Sequence, residues 1–327
     1  MATNWNAKAP WYLIGAYISN RRRHAMKPSH SLSLFQFSFH AMGSPCEIQL
    51  YARDKSFAWQ IAQQAIADAE RLEQRYSRYR PNSVLSAINR VAATGGSIQV
   101  DDETVSLLHY ADACYQQSDG LFDITSGLLR QAWNFKSDQL PKQHQIEGLL
   151  HRIGWHKVRW AAPTITFEPG MELDLGGIVK EYAADRLATL CWNAGAQHGF
   201  VNLGGDIRVI GAHPDGSAWR IGIKHPRKEG AEAIHTIELH SGGIASSGDY
   251  ERCLTVDGVR YGHILNPKTG WPVQHMAAVT VVADLCVLAG SAATIGMLKQ
   301  QAGPAWLKKL GLSHFWVDTQ GTQGGSI

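Results

Sequence analysis

The 327-residue sequence has no CxxC pair and only five cysteines, Cys46, Cys114, Cys191, Cys253 and Cys286, scattered along its length. That spacing excludes a zinc ribbon or a thioredoxin-type redox motif, and buried apolar thiols are the expectation. Charge is scarce too. Asp, Glu, Lys and Arg make up 18% of the chain, against about 25% in an average soluble domain, so a disordered polyelectrolyte is excluded. Neither sign dominates: 31 Lys+Arg against 28 Asp+Glu leaves +3, which supplies no electrostatic footprint for nucleic acid. Long hydrophobic runs are missing as well. The apolar stretch Trp11 to Ile18 is eight residues, whereas a membrane-spanning helix needs about 20, so no transmembrane span is expected. Arg21, Arg22 and Arg23 follow that stretch, the reverse of a signal peptide, and no lipid-acceptor Cys stands near the start. Residues 1–31 therefore read as a poorly ordered N-terminal extension. A cytoplasmic location is slightly favoured over a periplasmic or membrane-associated one. No G-x-G-x-x-G opens a βαβ unit, which disfavours a nicotinamide oxidoreductase.

What is present is enough apolar material for a sizeable core, 44% of residues, and 32 glycines gathered in short clusters. Cys46, Ile48 and Leu50 alternate with polar neighbours as a half-buried strand does. Phe57 to Arg75 places Ile61, Ala65, Ile66, Ala69 and Leu72 at helical spacing, and Thr104 to Gln117 and Gly177 to Asn193 read as further helices. Val158 to Phe167 reads as two strands about Pro163. Strand signals dominate the second half: Phe200 to Ala212, Trp219 to Lys224, Ala233 to Leu239 and Ala277 to Ala283. Cys253 to Tyr261, with Asp257-Gly258 at its centre, is a two-residue hairpin. Val287 to Lys299 is a last helix rich in small residues. The class is α+β, a single domain over residues 32–327 of mixed, largely antiparallel sheets with flanking helices.

Four polar, glycine-rich segments carry the candidate chemistry. Asp174-Leu175-Gly176-Gly177-Ile178-Val179-Lys180 feeds a helix N-terminus, a setting suited to phosphate or simply a tight turn. Asn202-Leu203-Gly204-Gly205-Asp206 interrupts a strand run, as a bulge or a close backbone approach. His263, ahead of Asn266-Pro267-Lys268-Thr269-Gly270, stands where a general base could act or where a hydrogen-bonded structural His would sit. Ser246-Ser247-Gly248-Asp249-Tyr250-Glu251 reads as a polar loop between strands, able to hold phosphate or to make the turn.

Taken in order, these segments resemble the FAD:protein FMN transferase family, also called the ApbE family. The resemblance runs from about Phe39 to Gln300. It includes Ala41-Met42-Gly43-Ser44, Tyr76-Ser77-Arg78-Tyr79 with Ser83 and Asn89, and Gly120-Leu121-Phe122-Asp123, besides the four segments above. It implies an enzyme that cleaves FAD and attaches FMN to a Ser or Thr hydroxyl of a partner protein through a phosphoester, releasing AMP. The implied cofactor is Mg²⁺, with FAD as substrate. The implied partner is an acceptor flavoprotein, with membrane redox subunits among the candidates. By the same resemblance Met42, Tyr79, Leu121, Phe122, Asp123, Asp174, Lys180 and Ile264 line the FAD site, and His263 activates the acceptor hydroxyl. Gly177 and Thr294 are the implied metal-site residues.

One position departs from the family. Its last helix opens with an Ala-Asp motif ending in Thr, whose Asp is a magnesium ligand; here Leu288-Ala289-Gly290-Ser291-Ala292-Ala293-Thr294 puts Gly290 at that Asp. A magnesium site usually carries one or two carboxylates. Asp249 and Glu251 are the first candidate substitutes, with Glu181 and Asp284 also close to the motifs. The helix-opening segment differs too, with Lys180-Glu181 where the family often has Gly after its Lys or Glu. The alternative reading is a divergent FAD-binding protein, FAD hydrolase or flavin-delivery maturation factor without transferase activity.

Overall fold

The computed structural model describes residues 31–327 apart from 138, 229, 231 and 251. The expected N-terminal extension therefore lies, but for Ser31, outside the described residues, as does Glu251. The strands in chain order are β1 (Ser33–Ala41), β2 (Ser44–Ala52), β3 (Gly96–Gln99), β4 (Arg159–Ala161), β5 (Thr164–Phe167), β6 (Gly199–Leu203), β7 (Asp206–Gly211) and β8 (Trp219–Ile223). There follow β9 (His235–Leu239), β10 (Gly242–Gly248), β11 (Cys253–Val256), β12 (Val259–Gly262), β13 (Met276–Ala283), β14 (Ser313–Asp318) and β15 (Gln323–Gly325). Eight of them form the main sheet, in the order β1-β2-β6-β7-β10-β13-β14-β15, with every neighbouring pair antiparallel. The helices are α1 (Lys55–Tyr76), α2 (Val84–Thr94), α3 (Asp102–Gln117), α4 (Gln143–Leu150), α5 (Val179–Asn193), α6 (Cys286–Leu298) and α7 (Gly303–Lys309).

The two-residue period of the strands divides the main sheet into two differently covered faces. On β10, Ala245 joins the cluster shared with α1, α5 and α6, while Ile244 joins the one shared with the β8–β9 hairpin. On β7, Ile207 and Val209 face the hairpin cluster. The intervening Asp206 and Arg208 meet charges on α5: Lys180 Nζ lies 2.8 Å from Asp206, and Arg208 Nε lies 3.4 Å from Asp185. Helix α1 buries Ala58, Ile61, Ala62, Ala65, Ala69 and Leu72 on one stripe and is capped by Asp54, whose Oδ1 accepts Phe57 N–H at 2.8 Å, a good N-cap arrangement. Helix α6 is buried on nearly every side. Its first turn has no cap of its own; instead Asp185 of α5 accepts the Cys286 and Val287 N–H groups, each at 2.9 Å. All five thiols are free, and four are buried.

Two sequence expectations change here. Phe200 to Ala212 is not one bulged strand but a hairpin: Gly204 and Gly205, at φ +64° and +100°, turn the chain, and Leu203 pairs with Asp206. Ser246, Ser247 and Gly248 are not in a loop but complete β10, paired to Ala278–Thr280 of β13.

Candidate functional site

A cleft of about 710 Å³, within the usual range of ligand sites, is built from short segments of many elements. The β1–β2 turn contributes Met42 and Gly43. Both are left-handed, at φ +53° and +71°, as a tight two-residue hairpin turn demands. Met42 is an unusual residue there; its N–H is tied to Glu73 of α1 at 3.0 Å. The loop after α1 presents Arg78 and Tyr79. The tyrosine ring is 76% exposed with the Arg78 guanidinium 5.1 Å above its centre, an open aromatic platform with a cation beside it.

Arg78 also pairs with Asp174, whose other oxygen accepts Gly176 N–H at 2.9 Å. This clamp fixes the turn that opens α5, and no side chain caps that helix. Its positive end therefore points into the cleft with Gly176 and Gly177 exposed, a setting that favours an anion. Phe122 lies under Gly177, its ring 3.4 Å from where a Cβ would stand, and Leu121 is beside it. Asp123 is buried with its carboxylate already engaged: it accepts Thr125 N–H and Oγ1–H at 2.8 and 2.6 Å and Trp155 N–H at 3.0 Å. Ile264 packs into the core, and His263, half-buried, faces the cleft.

Around the predicted set stand residues that sequence reasoning left unassigned. Arg252, Arg78 with its Asp174 partner and Arg130, paired with Glu172 at 2.6 Å, add guanidinium groups to the lining, and Trp133, stacked on Phe135 at 5.7 Å, adds an aromatic wall. Arg78 lies inside the Tyr76-Ser77-Arg78-Tyr79 motif, so its place beside Tyr79 carries a sequence signal. The others come from segments without local signal.

The candidate metal residues separate clearly. Thr294 and Gly177 both line the cleft, with the Thr294 hydroxyl 2.8 Å from Ser247 Oγ. Asp249 does not line it. Both its oxygens are held by Arg227 at 2.5 and 2.7 Å, so the expected substitution by Asp249 is corrected: that carboxylate is spent on a part-buried ion pair. Asp284 is likewise outside the cleft lining. Glu181 is inside it, only 8% exposed. Burial first, then the nearby Asp206 charge, push its carboxyl up to about 7, against the pull of Lys180. Among the described residues no group of three His, Cys, Asp or Glu side chains is placed to hold a metal ion by itself. A cation here would depend on one carboxylate, hydroxyl and backbone oxygens, and the ligand's own phosphates, the usual composition of a magnesium site at a substrate diphosphate.

Fold and cleft together present a site whose chemistry suits a ring-bearing anion, with aromatic and apolar walls near an uncapped helix end and several arginines. The ApbE family model matches residues 42–316, and the chain belongs to that family. It is 33% identical over 258 residues to the FAD:protein FMN transferase of Chlamydia pneumoniae, covering 76% of this chain and 78% of that one. Against the FAD:protein FMN transferase of Chlamydia trachomatis, identity is 32% over 273 residues, 80% and 84% of the two chains. Among solved structures, the ApbE protein of Thermotoga maritima superposes with a TM-score of 0.82 at 32% identity, covering 90% of this chain and 97% of that one. The apo flavinyl transferase ApbE of Pseudomonas stutzeri does so at 0.81 and 26% identity, covering 92% and 96%. Among the described residues no helix is long and apolar enough to cross a membrane.

Proposed function

We propose that this chain is a FAD:protein FMN transferase, with residues 32–327 as its FAD-binding domain. The observation that carries the reading is the cleft itself, where the exposed Tyr79 platform and the apolar Phe122 and Ile264 share one cavity with Arg78, Lys180 and the open end of α5. That combination matches a ligand with two ring systems joined by a diphosphate. In the proposed reaction the acceptor's Ser or Thr oxygen attacks the FMN phosphorus. A new P–O bond forms, the P–O bond to the bridging oxygen breaks, AMP leaves with that oxygen, and His263 takes the hydroxyl proton. Arg78 and Lys180 hold the diphosphate, while Tyr79, Leu121, Phe122 and Met42 position the rings. Gly177, through its carbonyl, and Thr294, through its hydroxyl, would hold Mg²⁺, which supplies charge neutralisation of the diphosphate when bound.

The acceptor is proposed to be a flavoprotein presenting a Ser or Thr target, with membrane redox subunits as the first candidates. In-gel flavin fluorescence of such an acceptor domain, incubated with the protein, FAD and Mg²⁺, tests the reading. A covalent fluorescent band with equimolar AMP release is expected from the unaltered chain, and a strongly reduced band from His263→Ala. Tight FAD binding without AMP release in the presence of several acceptors would return the reading to a flavin-delivery factor.

A further inference from the structure

Gly290 and Glu181 are 109 residues apart in sequence yet share one space. A Cβ built on Gly290 would stand 2.5 Å from Glu181 Cγ, 2.9 Å from its Oε1 and 3.0 Å from its Cδ. Real Cβ atoms essentially never approach a neighbour that closely, so a side chain at 290 can stand there only if Glu181 moves. The Glu181 side chain thus occupies the place where the first carbon of any side chain carried by position 290 would stand. It enters from α5, across from α6, and it lines the same cleft as Gly177 and Thr294. Thr294 follows Gly290 by four residues on α6, one turn along the same face. Glu181 is more than nine-tenths buried, and its Oε2 has no hydrogen-bond partner. A buried carboxylate with an oxygen that lacks a hydrogen-bond partner is costly and calls for a compensating charge. Lys180, the adjoining cation, is already 2.8 Å from Asp206.

We infer that Glu181 is the carboxylate ligand of this chain's divalent-cation site, replacing from α5 the acid that Gly290 does not supply from α6. The two departures from the family pattern, an acid lost at 290 and an acid gained at 181, are then a single exchange. The geometry also requires both halves: the new acid fits because 290 is glycine. The inference rests on the reading of the cleft as a site for FAD's diphosphate, but its test does not depend on transfer.

The test is Mn²⁺ binding to the full chain, measured by electron paramagnetic resonance of free Mn²⁺, alone and with FAD. The unaltered protein should bind Mn²⁺, and the near-isosteric Glu181→Gln should bind at least tenfold more weakly. Gly290→Asp alone should not improve binding, because its side chain meets Glu181. The exchanged pair, Glu181→Gly with Gly290→Asp, should bind within about threefold of the unaltered protein, whereas Glu181→Gly alone should not. Far-UV circular dichroism confirms that each variant is folded. Wild-type Mn²⁺ affinity in Glu181→Gln overturns the inference, as does a folded exchanged pair that binds no cation, or an unaltered protein that takes up no Mn²⁺ with FAD present. Loss of Mn²⁺ in Glu181→Gln without acceptor labelling by any variant would leave the cation site standing and refute the transferase reading. Labelling that survives Glu181→Gln at full cation affinity would do the reverse.

Discussion

The shared space of Gly290 and Glu181 predicts a stability coupling that can be measured without any ligand. In an ordinary helix interior, Gly→Ala stabilises by about 1 kcal/mol, because glycine loses more backbone freedom on folding. Gly290 is itself buried in α6 with ordinary helical backbone, so that gain is available in principle. Against it stands the 2.5 Å approach to Glu181 Cγ. The close atom is not the tip of the side chain, so turning the carboxylate alone relieves nothing and an inner torsion of Glu181 must move within a packed site. Overpacking of this kind costs about 1–3 kcal/mol. Gly290→Ala should therefore leave the protein between unchanged and about 2 kcal/mol less stable. In a Glu181→Ala background the obstructing atoms are gone and the same substitution should stabilise by about 1 kcal/mol. The coupling between the positions is the difference, about 1–3 kcal/mol, well beyond the few tenths expected of independent sites. Urea unfolding of the four proteins in chelator-treated buffer reads it directly, provided the denaturant slope is unchanged. Additive effects, with Gly290→Ala stabilising equally in both backgrounds, would refute the shared-space reasoning.

Three further outcomes follow from the same geometry. Burial pushes the Asp185 carboxyl up to about 6, against the pull of Arg208 and of the Val287 and Cys286 N–H groups. The native state thus binds this proton more tightly than the unfolded chain does, so the group's contribution is full below about pH 4 and is lost as pH rises through 6. It should remove about 3 kcal/mol over that window, and unfolding midpoints of Asp185→Asn should fall less steeply from pH 4 to 6.5; parallel profiles would contradict the assignment. Tyr79→Ala should change folding stability by less than about 0.5 kcal/mol, since the ring is exposed, yet weaken FAD about tenfold or more through loss of a stacking surface; a titration showing unchanged affinity removes the platform role. Gly270→Ala should destabilise by about 2 kcal/mol or more, because φ is +73° and the added Cβ would meet Ile146 Cγ2 at 2.2 Å; an unfolding midpoint within error of the unaltered protein would refute it.

What the sequence disclosed and what it hid divide by the reach of the interaction. The Asp257-Gly258 turn was legible because both residues take positive φ, +50° and +76°, within one two-residue loop. Helix α1 was legible because its buried stripe recurs at local spacing. The Asn202–Asp206 segment was half legible: its glycines mark a break, but whether they bulge one strand or join two depends on Leu203 pairing with Asp206. The polar character of Ser246 and Ser247 suggested a loop, yet those hydroxyls are satisfied sideways, by Thr280 and Thr294, and so can stand in a strand. At the site, recurring motifs placed Met42, Tyr79, Phe122, Ile264 and His263 around one cleft, but they gave no way to rank the four acids near the missing ligand. Three-dimensional contacts do. Asp249 belongs to Arg227, Asp284 stands outside the cleft lining, and Glu181 lines it, while Glu251 lies outside the described residues. Of the described acids near the cation motifs, Glu181 is the one with a buried oxygen that lacks a hydrogen-bond partner. Glycine at 290 then reads as room made for an acid arriving from another helix, a relation that residue spacing along the chain cannot express.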